Sequence, residues 1–97
     1  MSRLVIIEGQ SVDRSYPLGD MTLIGRAPRC QITLEGREVS AHHARLIRVG
    51  SGYLLEDLQS RNRTFLNGEA VSRCRLKNGD KVRIGRTTLR YEAQVHR

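Results

Sequence analysis

The chain has 97 residues, 17 Lys and Arg against 10 Asp and Glu, a net charge of +7, three Tyr, one Phe and no Trp. That length gives a single domain over residues 1–97, with a core over about 4–92 and a tail or linker start at 93–97, and leaves no room for a separate catalytic lobe. No apolar run approaches the roughly 20 residues of a membrane span, and the four apolar residues at 4–7 are too few for a secretory leader, so a cytoplasmic domain is expected.

No stretch keeps apolar residues at helical spacing for three turns, and turn signals recur every few residues, so strands are expected throughout. The first covers 4–8. Residues 14–18 form a second, where Pro17 marks an edge or a strand end because it has no N–H for a ladder. Strands at 21–24, 31–34, 44–49 and 53–57 follow, the last two joined by Gly50-Ser51-Gly52. Asn67-Gly68 joins 64–66 to 69–71, since a type I′ hairpin turn needs positive φ at both central residues. Lys77-Asn78-Gly79-Asp80 turns the chain into 81–84, with Val82 and Ile84 on one face, and Gly85-Arg86 leads into 87–92. About ten to eleven short strands with tight turns imply an all-β, antiparallel sandwich of two sheets.

Lys77 and Lys81 are the only lysines, so almost all the positive charge is Arg. A basic balance favours anionic partners: phosphopeptide, nucleic acid or acidic protein. Cys30 and Cys74 lack metal-ligand spacing; buried reduced thiols are expected, with a disulfide left open as the alternative. His42 and His43, as neighbours in an extended segment, point to opposite sides, and no Cys or carboxylate nearby completes a ligand set, which argues against metal. Ser40, His43 and Asp57 carry no nucleophile-elbow or other catalytic signature, and no Walker or dinucleotide glycine pattern is present. The chain reads as a non-enzyme that needs no cofactor.

Three blocks at the ends of strand-like runs remain: Gly25-Arg26, Ser40-Ala41-His42-His43, and 57–64 running into Asn67-Gly68. Together they offer a guanidinium, a hydroxyl and a carboxamide from three loops, a donor set suited to an oxyanion. In this order, from about Leu4 to Tyr91, they resemble the forkhead-associated (FHA) family, whose members bind phosphothreonine peptides in signalling. The resemblance implies that Arg26 and Ser40 meet the phosphate, that Asn62 aligns the peptide backbone, and that Gly25, His43, Thr64, Asn67 and Gly68 shape the site. It also implies a phosphothreonine-containing partner, the substrate of a Ser/Thr kinase, and an isolated domain that is monomeric and off the membrane.

The chain departs from the family pattern at three positions. Ala41 stands where Arg or Asn often adds a peptide contact. Arg61 stands at a position that is commonly Thr; it either supplies a second cation to the phosphate or points to solvent and lends only its N–H. Arg63 stands at the usual Gly, where a positive φ costs a side chain about 1 kcal/mol or more; either the loop differs or strain is tolerated for an added charge. A nucleic-acid-binding β-domain is the disfavoured rival: Tyr16, Tyr53, Tyr91 and Phe65 lie in strand-like runs that serve a core rather than stack bases. A phosphate-independent assembly domain, using a sandwich face, is the third reading.

Overall fold

The computed structural model describes residues 2–93. Of the expected tail, Ala93 donates its N–H to Asn78 Oδ1 at 2.9 Å, and 94–97 lie outside the described residues. The strands, in chain order, are β1 (Arg3–Glu8), β2 (Ser15–Pro17), β3 (Met21–Gly25), β4 (Ile32–Thr33), β5 (Ala44–Val49), β6 (Gly52–Asp57), β7 (Thr64–Leu66), β8 (Glu69–Val71), β9 (Arg73–Arg75), β10 (Lys81–Ile84) and β11 (Thr87–Glu92). They form two sheets, ordered β2-β1-β11-β10-β7-β8 and β4-β3-β5-β6-β9. The expected sandwich is present, and Pro17 sits on an edge strand, where its missing N–H costs no ladder bond.

Period-two alternation turns one face of each strand inward. Leu4, Ile6, Val82, Ile84 and Leu89 from one sheet and Ile24, Ile32, Leu46 and Leu55 from the other are fully buried in a single core. Each such side chain contributes about 1.5–3 kcal/mol by leaving water. Tyr53 and Tyr91 meet edge to face across that core at 6.1 Å, and the Tyr53 hydroxyl donates to the Gly19 carbonyl at 2.8 Å. The β7–β8 turn has Asn67 at φ 50° and Gly68 at φ 89°, as a type I′ turn requires.

Three features differ from expectation. Strand β9 pairs with β6 through an Arg-Cys-Arg segment in which Cys74 lies opposite Leu55; with one inward residue and two charges, it carries no strand signal. Strand β4 runs parallel to β3, the exception in an otherwise antiparallel fold. A parallel pair ordinarily needs a long crossover, but β4 is only two residues long, so the loop 26–31 has little distance to recover. Phe65 does not serve the core. It lies half-buried on an outer face, with the Arg83 guanidinium 4.3 Å from its ring centre. The two cysteines are free, Cys30 buried and Cys74 half-buried, and burial pushes the Cys30 thiol pKa upward.

Candidate functional site

Ser40 joins three loops at one end of the sandwich. Its carbonyl accepts the Arg26 N–H at 3.0 Å, its own N–H donates to His43 Nδ1 at 3.0 Å, and its Oγ accepts the Arg61 N–H at 3.1 Å. Because Oγ is the acceptor in that last bond, the hydroxyl proton stays available for another acceptor. Gly25 makes this approach possible: a Cβ there would collide with the Ala41 carbonyl and crowd that of Ser40. The Ala41 carbonyl also accepts the Ala27 N–H at 3.1 Å, so Ala41 holds the loop through its backbone while its methyl group is exposed.

His43 is fully buried, and both ring nitrogens are bonded. Nδ1 accepts from Ser40, so Nε2 carries the proton and donates to the Arg63 carbonyl at 2.8 Å. One imidazole thus fixes the distance between the Ser40 loop and the Arg63 loop. His42 is exposed. Asp57 anchors the second loop from below: Oδ1 accepts the Ser60 and Thr64 hydroxyls at 2.5 and 2.7 Å, and Oδ2 accepts the Ser60 N–H at 3.1 Å. Asn67 closes the adjoining hairpin onto β10, donating to Asp80 Oδ1 at 3.0 Å and accepting the Lys81 N–H at 2.9 Å.

Arg26, Arg61, Asn62 and Arg63 are exposed around this frame. Asn62 Nδ2 donates to the Glu38 carbonyl at 3.1 Å, bridging the 58–63 and 34–43 loops. Arg26, Arg61 and Arg63 make no ion pair among the described residues. The loops that meet at the Ser40 hydroxyl thus carry three exposed arginines that make no ion pair among the described residues. Arg63 has φ 67°, so the loop keeps the left-handed conformation that suits Gly and the Arg side chain bears the strain. Arg63→Gly is expected to relieve that strain and raise Tm by a few degrees, on the order of 4 °C. A thermal melt checks it; an unchanged or lower Tm would show that the loop absorbs the strain at no cost.

No local pattern pointed to Glu38 and Arg86 as a pair. Arg86 Nε donates to Glu38 Oε2 at 3.2 Å, tying the 85–86 turn to the 34–43 loop, and 48 residues separate the partners. Ser60 was detectable in principle, since an Asp followed three residues later by a Ser commonly closes an Asx-type turn.

The described residues contain no helix long and apolar enough to cross a membrane. A family model described as FHA domain matches residues 22–85. The FHA domain-containing protein FhaB of Mycolicibacterium smegmatis is 37% identical over 89 residues, covering 90% of this chain and 57% of that protein. The solved structure of Mycobacterium tuberculosis EmbR in complex with a low affinity phosphopeptide superposes with a TM-score of 0.88 at 32% identity, covering 99% of this chain and 26% of that one. A solved chain from work on phosphothreonine-dependent FHA domain interactions superposes with a TM-score of 0.89 at 28% identity, covering 98% of each. The chain spans between 19% and 60% of the length of the curated relatives it matches.

Proposed function

This chain belongs to the FHA domain family, and on that premise we propose that its loop end binds phosphothreonine peptides and so mediates phosphorylation-dependent association in signalling. The observation that carries this reading is the Ser40 junction, where a hydroxyl with a free proton sits at the meeting of loops whose exposed Arg26, Arg61 and Arg63 make no ion pair among the described residues. A phosphothreonine carries close to two negative charges near neutral pH and three acceptor oxygens. Arg26 supplies a planar fork of donors to it, Ser40 Oγ one neutral hydrogen bond, and Arg61 a second cation. Asn62 Nδ2, which donates to the Glu38 carbonyl here, can exchange it for a peptide carbonyl. No bond is made or broken, so the site acts by binding and not by catalysis.

The related EmbR structure holds a phosphopeptide, and the other neighbour is described by phosphothreonine dependence, which supports the same ligand class here. The expected partner is a phosphothreonine-containing protein, the substrate of a Ser/Thr kinase, met by a cytoplasmic, monomeric domain. A small pocket for the γ-methyl group, implied by the family, accounts for Thr over Ser. Amide chemical-shift mapping with a phosphothreonine peptide tests the assignment. Shifts concentrated at Arg26, Ser40, Arg61 and Asn62 are expected; shifts confined to an outer sheet face would favour the assembly reading.

Exposed charge interactions weaken with salt. The double variant Arg61→Thr with Arg63→Gly is therefore expected to bind phosphopeptide more weakly at low salt, by up to about tenfold, with a flatter dependence on ionic strength. Affinities measured across a salt series check this. A wild-type affinity and slope in the double variant would reduce both arginines to solvated bystanders.

A further inference from the structure

Arg63 occupies a position where Gly would be free of strain, and its backbone leaves it little choice of place. Its carbonyl is held by His43 Nε2–H, so it sits across a single imidazole ring from the Ser40 amide. Arg63 lines a pocket with Asp57, Ser60, Ala70, Val71 and Ser72. Arg63 is the only cation in that lining, yet it makes no ion pair with Asp57. Asp57 is already engaged, accepting two hydroxyls and one N–H from Ser60 and Thr64. The Arg63 backbone is thus anchored one imidazole away from Ser40 in a strained conformation, and its guanidinium makes no ion pair among the described residues. Ser72, exposed in the same lining, adds a hydroxyl.

We infer that Arg63, with Ser72, forms a second anion subsite, which takes a carboxylate or a second phosphoryl group on the same peptide as the phosphothreonine. This rests on the phosphothreonine reading above. An extended peptide advances about 3.3 Å per residue, so a group about one to three residues from the phosphothreonine spans the width of the imidazole bridge. The guanidinium can meet either oxyanion as a bidentate donor. The subsite makes the domain selective for phosphothreonine in an acidic or doubly phosphorylated setting, where Ser40 and Arg26 alone would read only the phosphothreonine.

The test uses a phosphothreonine peptide with neutral flanks and a matched series. In that series one flanking position at a time, up to three residues on either side, carries Glu or a second phosphothreonine. Each is titrated into wild type and into Arg63→Gln, which keeps the strained backbone and loses the charge. The readout is the affinity ratio of each anionic peptide to the neutral one. Wild type is expected to gain about fivefold or more at one or two positions, and Arg63→Gln to bring those ratios to about one. A gain with Glu assigns the subsite to carboxylates as well; a gain with the second phosphoryl alone assigns it to phosphate. Ratios near one throughout in wild type, or gains that persist in Arg63→Gln, overturn the subsite while leaving the phosphothreonine reading intact. If wild type does not bind the neutral peptide at all, the phosphothreonine reading fails and takes the subsite with it.

Discussion

Arg26→Ala is expected to reduce phosphothreonine-peptide affinity by about 30-fold to several thousand-fold, the span of roughly 2–5 kcal/mol that losing one partner costs in a charge pair that the bound peptide desolvates. The fold should be unaffected, because the Arg26 side chain is exposed and without an ion pair among the described residues. The contribution of Arg26 to the frame is its N–H on the Ser40 carbonyl, and Ala retains that N–H. Calorimetric titration and a thermal melt on the same sample check both halves. Wild-type affinity in the variant would place the phosphate elsewhere; a large fall in Tm would make Arg26 a structural residue.

His43→Ala is expected to act the opposite way, on stability first. The imidazole is fully buried and bonds one backbone group on each of two loops. Its removal leaves the Ser40 N–H and the Arg63 carbonyl unpaired beside a new cavity, which costs about 2–4 kcal/mol. For a domain of this size that lowers Tm by about 10 °C or more. Binding by the folded fraction should weaken too, since Ser40 and Arg63 lose their common anchor. A melt that overlays the wild type, with binding lost, would instead make His43 a direct ligand contact.

Much of this was legible in the chain because local signals agreed with the global fold. Strands β5, β7, β8, β10 and β11 have the bounds that alternation and turn residues predict, and Asn67-Gly68 adopts the turn its chemistry favours. His43 was legible as a structural imidazole from its place in the Ser-x-x-His block, and the structure supplies its two partners. Arg63 was legible as a conflict, a long side chain at a Gly position, and its φ of 67° decides that the strain is borne and the loop is kept. What escaped the sequence depends on pairing between distant segments. Strand β9 owes its existence to the β6 edge beside it, because its own residues carry no alternating apolar signal. The parallel run of β4 is set by the Leu34 N–H bonding the Gly25 carbonyl at 2.8 Å, a return that no local motif announces. Phe65 sits on the outward face of β7, so its aromatic character misled and its partner proved to be a cation.

The central claim is that this loop end recognises a phosphorylated threonine. Its most direct test is calorimetric titration of the domain with three peptides identical except at one residue: phosphothreonine, phosphoserine and threonine. The expected result is saturable one-to-one binding of the phosphothreonine peptide, weaker binding of phosphoserine by about tenfold, and no measurable heat from the unphosphorylated peptide. Equal binding of the phosphorylated and unphosphorylated peptides, or no binding of any of them, would contradict it.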